Sequence, residues 1–231
     1  MSNLIKMLIN CDLGECLQPN QDSKIMPLIE CCNIACGGHA GDEKSMAETV
    51  QLAIKNNVHI GAHPSYPDQE NFGRVSKKMS YVDLLVSLMT QINNLNRICN
   101  EWERQVLSIK PHGALYHDIP KSKKLLELAC LLTRGIGTYG ILVLQSGIND
   151  RQIKKVSKTY GITVFFEVFA DRAYDGAYLR PRNKPGALLT NPDEIVQQYH
   201  HFKNKTADTI CFHSDNPASV IALQQLYDGA D

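Results

Sequence analysis

The sequence predicts an α/β protein with a parallel sheet of seven strands, and three observations support this prediction. Seven short apolar runs rich in β-branched residues are spaced along the 231 residues. Stretches with helical periodicity separate most of these runs, as expected when crossover helices connect parallel strands. Polar motifs rich in His, Asp, Glu, Lys and Gly directly follow the runs. Such a sheet either closes into an irregular seven-stranded parallel β/α barrel or stays open as a doubly wound sheet.

The seven apolar runs are the predicted strands. The first ends at Cys11, directly before Asp12, and the last ends at Phe212, directly before His213. Because parallel strands present their carboxyl ends at one edge, the polar residues that follow are expected on one rim. We predict strands at residues 4–11, 32–36, 58–62, 106–109, 140–145, 162–168 and 209–212.

The predicted helices have an apolar stripe and recognisable first turns. Leu84, Leu88, Ile92 and Leu95 recur at helical spacing, and Ser80 is a capping residue at the start of that segment. Two further helices each begin with an Asn-Pro pair, in which the Asn caps the helix and the Pro occupies its first turn. We predict helices at residues 45–56, 80–102, 121–133, 149–160, 191–202 and 216–227.

Composition excludes several classes of protein. Lys plus Arg equals Asp plus Glu at 24 each, so there is no basic excess of the kind that binds nucleic acid. No run of about 18 apolar residues or signal-peptide pattern occurs, so we expect a cytoplasmic chain without a membrane span. The eight cysteines lack Cys-x-x-Cys spacing and are expected to be reduced. The Rossmann fingerprint Gly-x-Gly-x-x-Gly is absent after the first strand, and no Walker loop is present. No linker divides residues 1–231, which we expect to form a single domain.

Strand parity groups the polar residues at the strand ends. Side chains at i and i+2 lie on the same face, so Asn10 points with Asp12, and Lys110 points with His112. Asp12 is the first candidate for a general base or metal ligand, although it could also only stabilise the turn that follows. The apolar approach to Lys110 argues against a surface lysine, so we expect it to neutralise a carboxylate or phosphate.

The glycine-rich segment after the second strand is a candidate ligand loop. Gly38 allows close approach of a ligand, and His39 lies between glycines where little core can surround it. Asp42 is expected at the same site, although capping of the next helix would also explain it. Together with Asp12 and His63, His39 forms a tentative metal set, because carboxylate and imidazole suit a divalent transition metal.

The arginine-rich segment after the sixth strand is expected to act as a lid-like loop over the rim. Arg172 is its substrate-binding candidate, because guanidinium groups pair with carboxylate or phosphate, whereas Arg182 is expected to be solvated. His117 is among the histidines expected to be structural or exposed. The catalytic candidates are Asp12, His39, His63, Lys110 and His112. The substrate-binding candidates are Asn10, Glu15, Gly38, Asp42, Arg74, Glu167, Asp171, Arg172 and His213.

Taken together, the motifs resemble the LamB/YcsF family. The likeness extends in order through almost the whole chain, in residues 9–15, 33–42, 61–68, 72–74, 110–116, 167–174 and 210–215. The resemblance implies a barrel of the glycoside hydrolase/deacetylase type. It also implies conversion of 5-oxo-L-proline to L-glutamate with ATP as co-substrate, in a 5-oxoprolinase with partner subunits B and C.

Two other functions remain open at the level of sequence. A metal-dependent amidohydrolase, related to polysaccharide deacetylases, would use Asp12, His39 and His63 to hold a divalent ion that activates water. A non-catalytic subunit would only bind 5-oxoproline for a catalytic partner. The many ionisable residues at the rim favour an enzyme, because a site that only binds rarely needs so many groups that titrate.

Overall fold

A computed structural model describes residues 6–176, 178–203 and 207–229. The strands are β1 Leu8–Leu13, β2 Cys31–Ala35, β3 His59–His63, β4 Ser108–Ile109, β5 Ile141–Gln145, β6 Thr163–Phe169, β7 Tyr174–Asp175, β8 Tyr178–Leu179 and β9 Thr209–His213. Seven of them form a closed parallel barrel in the order β1-β2-β3-β4-β5-β6-β9, and β7 and β8 form a short antiparallel hairpin after β6. The closed barrel confirms the first of the two predicted sheet arrangements.

Eight α-helices lie in the described part of the chain. They are α1 Asp22–Ile25, α2 Glu43–Lys55, α3 Tyr81–Asn100, α4 Gly113–Asp118, α5 Lys123–Gly135, α6 Asp150–Tyr160, α7 Pro192–Lys203 and α8 Pro217–Asp228. The six predicted helices correspond to α2, α3, α5, α6, α7 and α8, with boundaries that differ by two residues or fewer. Helices α1 and α4 are not predicted from the sequence, because each is too short to show an apolar period.

The two faces of the barrel strands differ in chemistry. On β1, Cys11 and Leu13 alternate with Asn10 and Asp12, and all four are buried. Cys11 and Leu13 belong to the apolar core, as do Leu88 of α3 and Leu126 of α5. Hydrogen bonds of Asn10 instead cross to strands β2, β6 and β9. The barrel interior is therefore polar, and the apolar core is built from the other face of the strands together with the helices.

Barrel closure positions the ends of the strands. Residue pairing aligns Asp12 with Asn33 on β2 and with His213 on β9. Strand β4 is only two residues long. The Lys110 N–H still donates to the Ala62 carbonyl at 2.9 Å, but Pro111 has no N–H with which to continue the ladder. The regular pairing of β4 with β3 therefore ends next to the catalytic candidates Lys110 and His112.

All eight cysteines are free. Within the described residues, no helix has both the length and the apolar composition that crossing a bilayer requires.

Candidate active site

The carboxyl ends of the barrel strands open into a cavity of about 830 Å³. Its floor contains Asp12, Lys110 and His213, from strands or strand ends that are far apart in the sequence. Its outer part contains Arg74, Arg182 and other residues from the loops after β3 and β6. The prediction that the polar motifs meet at one rim therefore agrees with the structure for these residues.

The Lys110 ammonium group lies at the centre of the floor, and its side chain is only 3% exposed. Its Nζ is 2.9 Å from Asp12 Oδ1 and 2.9 Å from Glu167 Oε1. Cys211 Sγ lies 3.1 Å away from the same nitrogen. The ammonium protons are thus directed at protein acceptors, and the lysine ties β1, β6 and β9 to the end of β4.

Two carboxylates share this one ammonium group, and further donors distinguish them. Asn33 Nδ2 donates to Asp12 Oδ1 at 2.9 Å. The Tyr116 hydroxyl donates to Glu167 Oε2 at 2.8 Å, and Asn10 Nδ2 donates to Glu167 Oε1 at 2.9 Å. Each carboxylate therefore has a fixed orientation, with Asp12 directed to the cavity and Glu167 fully buried behind it.

The pKa directions follow from burial and charge. Burial by itself raises the pKa of the Asp12 carboxyl, but the positive charges of Lys110 and of a protonated His213 outweigh it and hold that pKa well below its usual range. Burial lowers the pKa of the Lys110 ammonium, yet Asp12, Cys211 and Glu167 together keep it well above normal. Burial also raises the pKa of Glu167, against the opposing charge of Lys110. Asp12 is therefore the carboxylate that stays ionised.

Three histidines and a glutamate form a second cluster beside Asp12. His39, His63, His112 and Glu15 each offer a ligand atom, and these atoms lie within 4.8 Å of one another. The rings of His39 and His112 stack at 3.6 Å, and Glu15 Oε1 lies 3.3 Å from His39 Nε2 and 3.5 Å from His112 Nδ1. Side chains at or beyond the ends of β1, β2, β3 and β4 thus meet at one point.

Backbone carbonyls fix the tautomers of two of these histidines. His63 Nδ1 lies 2.6 Å from the Lys110 carbonyl, and His112 Nε2 lies 3.0 Å from the Phe72 carbonyl. Since a carbonyl only accepts, these nitrogens carry the protons. The other nitrogens, His63 Nε2 and His112 Nδ1, then face each other with lone pairs, at a separation of 2.9 Å. Two lone pairs at this distance repel each other unless a cation or a proton lies between them.

The donor set fits a divalent metal ion. Burial is the largest cause that lowers the pKa of His39 to about 4 and that of His112 to about 3, so both rings are neutral and able to ligate. Histidines that ligate metals typically donate their second N–H to a carbonyl, as His63 and His112 do. His39 Nδ1 is buried without a hydrogen-bond partner. The tentative set of Asp12, His39 and His63 stays a prediction: His63 Nε2 lies 3.4 Å from Asp12 Oδ2, and both Asp12 oxygens also contact Lys110 Nζ.

The turn before α3 closes over the histidines. Gly73 adopts φ +64°, and a Cβ at this position would lie 2.9 Å from His39 Cβ and 3.1 Å from His112 Cδ2. Only glycine allows this close approach with a left-handed backbone. The Phe72 ring contacts His39 and His112 edge-on, and the central carbon of the Arg74 guanidinium lies 4.9 Å from the centroid of the same ring. The turn therefore fixes the histidines and Arg74 together.

His213 and Asp171 form a hydrogen-bonded dyad on the opposite side of Asp12. His213 Nδ1 lies 2.7 Å from Asp171 Oδ1, and the Ser219 hydroxyl donates to Asp171 Oδ2 at 2.8 Å. Burial lowers the pKa of the His213 ring, but the charge of Asp171 and its hydrogen bond outweigh burial and raise it. The remaining nitrogen of His213 is thus held in a ring that favours the protonated state.

Several predicted substrate-binding residues do not line the cavity. Gly38 packs against Ser65 and Gln91, whose side chains would overlap a Cβ at that position. Asp42 caps α2 through a capping box with Ser45, which is the alternative that the sequence left open. The remaining members of this group, Asn10, Glu167 and Asp171, are buried and hold Lys110 or His213 in place. Glu15, Arg74, Arg172 and His213 do line the cavity.

The loop after β6 differs most from the sequence-based expectation. It contains the β7–β8 hairpin, and Arg172 is buried within it, donating to the carbonyls of Ala187 and Arg180 at 3.3 and 2.8 Å. Arg182, expected to be solvated, instead pairs with Asp215 across the cavity mouth. His117, also set aside, lines the cavity. Neither Arg182 nor His117 has a local motif that could reveal its position.

Asn33 is a further residue that the sequence analysis missed. Its amide donates to both Asn10 Oδ1 and Asp12 Oδ1 at 2.9 Å. The register of β1 against β2 places Asn33 beside Asp12, and only the folded sheet determines that register.

Comparison with known proteins gives consistent results. Residues 7–230 match the model of the LamB/YcsF family. The A subunit of 5-oxoprolinase from Pseudomonas fluorescens is 36% identical over 96% of this chain and 95% of its own. The crystal structure of the lactam utilization protein from Thermus thermophilus superposes with a TM-score of 0.86 at 28% identity and covers 97% of each chain. A peptidoglycan N-acetylglucosamine deacetylase shares the fold, with a TM-score of 0.52 at 13% identity over 98% of this chain and 82% of its own.

The Lys110 network generates a stability prediction. Lys110→Met leaves Asp12 and Glu167 buried without their shared cation, so we expect the free energy of unfolding at neutral pH to fall by about 3–5 kcal/mol. The loss should shrink in acid, because protonation of the two carboxyls removes the uncompensated charge. Urea unfolding at several pH values measures both effects. Lys123→Met, at a 70% exposed side chain, is the matched control, and an equal effect of both substitutions would contradict the prediction.

Proposed function

The chain belongs to the LamB/YcsF family, and from this premise we propose that it is the A subunit of an ATP-dependent 5-oxoprolinase. It would hydrolyse the cyclic amide of 5-oxo-L-proline to give L-glutamate. The observation that carries the proposal is the convergence of an ionised Asp12, a buried Lys110 and the His213–Asp171 dyad in one cavity. Relatives that match along nearly their whole length are named as A subunits of 5-oxoprolinase, which supports it.

Opening of a five-membered lactam requires a base, an acid and activation of the carbonyl. Water adds its oxygen to the amide carbon, the carbon–nitrogen bond breaks, and the nitrogen takes a proton to become the amino group of glutamate. Because the amide is a weak electrophile, its oxygen needs either a phosphoryl group or a positive charge nearby. The coupling to ATP would meet this need by phosphorylation of that oxygen, with ADP as the leaving group. Attack of water and cleavage of the carbon–nitrogen bond would then give an acyl phosphate of glutamate, which a second water hydrolyses to glutamate and inorganic phosphate.

In the proposed mechanism Asp12 accepts the proton of the attacking water. Lys110 is a positioning residue, since it contacts both Asp12 oxygens at 2.9 and 3.2 Å and keeps the carboxylate ionised and directed. His213 donates a proton to the leaving ring nitrogen, because Asp171 stabilises its protonated form. Asp12 and His213 are paired residues on neighbouring strands. The group that takes a proton from water and the group that gives a proton to the ring nitrogen therefore lie side by side.

The histidine cluster would bring a metal ion to the site. Glu15, His39, His63 and His112 would hold a divalent ion, which when bound supplies Lewis-acid polarisation of an oxygen. The cluster borders the proposed base, with His63 Nε2 at 3.4 Å from Asp12 Oδ2.

Membership of the family is the reason to propose roles for ATP and for the partner subunits. The sequence contains no Gly-x-x-x-x-Gly-Lys-Ser/Thr loop, so an ordinary Walker site for ATP is absent from it. We propose that subunits B and C supply or share the ATP chemistry, and that this chain carries out the ring opening. The relatives carry a subunit letter in their names, which supports an assembly of more than one kind of chain.

The histidine cluster also favours a second candidate function, that of a metal-dependent amidohydrolase that acts without ATP. The neutral imidazoles and their carbonyl partners have the arrangement that a metal site requires. Dependence on ATP separates the two functions.

Glutamate release from 5-oxo-L-proline tests the main proposal. With the unaltered chain, subunits B and C and ATP, we expect glutamate, and we expect none when ATP or the partners are omitted. Asp12→Asn should lower kcat by about 10²–10⁴-fold, the usual contribution of a general base. Asp193→Asn, at an exposed position in the first turn of α7, should leave the rate unchanged. Glutamate without ATP would favour the amidohydrolase, and no glutamate in the complete system would refute the proposal.

The His213–Asp171 dyad predicts a pH effect. Asp171→Asn removes the charge that raises the pKa of His213, so the ring loses its proton at lower pH. The alkaline limb of the kcat/KM profile should therefore move to lower pH. Asp175→Asn is the control, because Asp175 pairs with Arg180 and not with a histidine of the site. A profile that does not move in Asp171→Asn would remove His213 from the role of general acid.

Metal binding can be measured without any reference to activity. After dialysis against a chelator and then against Zn²⁺ or Mn²⁺, we expect about one ion per chain by mass spectrometry of the metal content. His112→Gln should lower the affinity in a competition titration, whereas His59→Gln, at the exposed start of β3, should not. Equal affinity in both variants would refute the assignment of the cluster as a metal site.

A further inference from the structure

Two arginines from separate loops converge on one carboxylate at the mouth of the cavity. Arg74 Nη2 lies 3.3 Å from Asp215 Oδ2, and Arg182 donates to the same oxygen. Arg74 follows the turn that covers the histidines, Arg182 follows the β7–β8 hairpin, and Asp215 follows β9. Elements that are distant in the sequence thus place two guanidinium groups beside each other.

Two guanidinium groups share one salt-bridging carboxylate at this point, and the Glu15 carboxyl acts on Arg74 from beyond salt-bridge distance. Among the described residues, Asp215 is the one carboxylate within salt-bridge distance of Arg74 or Arg182. Two other arginines each have carboxylates of their own: Arg180 pairs with Asp175, and Arg97 pairs with both Glu43 and Glu101. A second anion at the mouth would neutralise the remaining positive charge, and bidentate pairing with carboxylate or phosphate suits guanidinium groups.

Both arginines are held in position before any ligand binds. The Arg74 guanidinium lies over the Phe72 ring, whose edge contacts are the histidines of the site. The segment that carries Arg182 is anchored by Arg172, which donates to the Arg180 and Ala187 carbonyls. A preorganised pair loses less conformational freedom on binding, which favours recognition of a small anion.

The charged groups at the mouth of the cavity are more exposed than the one on its floor. The Arg74 and Arg182 side chains are 45% and 27% exposed, whereas Lys110 on the floor is 3% exposed. Lys110 is saturated by Asp12, Glu167 and Cys211 and has no proton left for a substrate carboxylate. The arginines at the mouth are therefore the better partners for an anionic group that enters from solvent.

We propose that Arg74 and Arg182 bind the carboxylate of the substrate, and that Asp215 occupies this pair until the substrate replaces it. The inference rests on the proposed function and deepens it, because it assigns the group that selects an acidic lactam over a neutral one. In 5-oxoproline the carboxylate is attached to the ring carbon next to the nitrogen. Anchoring it at the mouth turns the amide bond towards Asp12 and His213 on the floor.

Calorimetric titration of the purified chain with 5-oxo-L-proline and with 2-pyrrolidinone, the same ring without the carboxylate, tests this assignment. The unaltered chain should bind the acid more tightly than the neutral lactam. Arg182→Met should raise the Kd for the acid about 10- to 100-fold, the effect of losing a charge-assisted hydrogen bond, and leave that for the neutral lactam unchanged. Arg182→Lys, which keeps the charge but not the planar fork, should give an intermediate Kd.

Asp215→Asn tests the competition within the protein. Because this substitution removes the negative charge that occupies the two guanidinium groups, the Kd for 5-oxo-L-proline should fall. Arg97→Met, at the outer surface of α3, is the matched control and should change neither Kd. Circular dichroism of each variant verifies that it is folded.

Three outcomes would overturn the assignment: an unchanged Kd for the acid in folded Arg182→Met, an increase in that Kd in Asp215→Asn, or no preference of the unaltered chain for the acid. Binding of inorganic phosphate that is lost in Arg182→Met, while binding of 5-oxo-L-proline is retained, would also overturn it in favour of a phosphoryl site. Glutamate release by the complete complex is measured separately. A complex that releases glutamate while Arg182→Met binds the acid normally refutes this inference alone.

Discussion

The ammonium group of Lys110, enclosed by Asp12 and Glu167, is the interaction on which the polar interior of this barrel depends. Moving an ion from water into a protein interior costs several kcal/mol, and only close partners with good geometry offset that cost. Here the partners come from β1, β6 and β9, and all contact one nitrogen. Lys110 contacts partners up to 101 residues away in the sequence, and at the same time it fixes the orientation of Asp12.

The surroundings of this network divide the titratable groups into two kinds. On one side, burial among other imidazoles keeps His39, His63 and His112 neutral. On the other side, a fully buried Asp171 keeps His213 in an environment that favours its proton. Asp12 lies between the two groups and is ionised. Histidines of the same chemistry thus acquire different properties, because their neighbours differ in charge and not because their burial differs.

Charge also varies with depth in the cavity. The floor is compensated, since Lys110 is surrounded by acceptors, whereas the mouth retains excess positive charge from Arg74 and Arg182. An anionic ligand therefore encounters its strongest unpaired attraction at the mouth, where solvent is still present. The side chains proposed to transfer protons lie deeper, beyond the point at which such a ligand would be held.

The sequence by itself determined the seven barrel strands, the six longer helices and the position of most site residues at strand ends. These features depend on local patterns: apolar runs, helical spacing, capping residues and the alternation of faces that pairs Asn10 with Asp12. The family resemblance and the closed barrel are likewise confirmed.

The tertiary structure decided which of these residues act together. Glu15 and His112 lie with His39 and His63 in one cluster, and Asp12 beside that cluster contacts Lys110. Glu167 and Asp171 became supporting residues, since closure of the barrel buried them completely. Arg182 lies at the cavity mouth because of a contact that forms only in the folded barrel. Its partner Asp215 is 33 residues away, and the contact exists only because β6 and β9 are neighbours in the closed sheet.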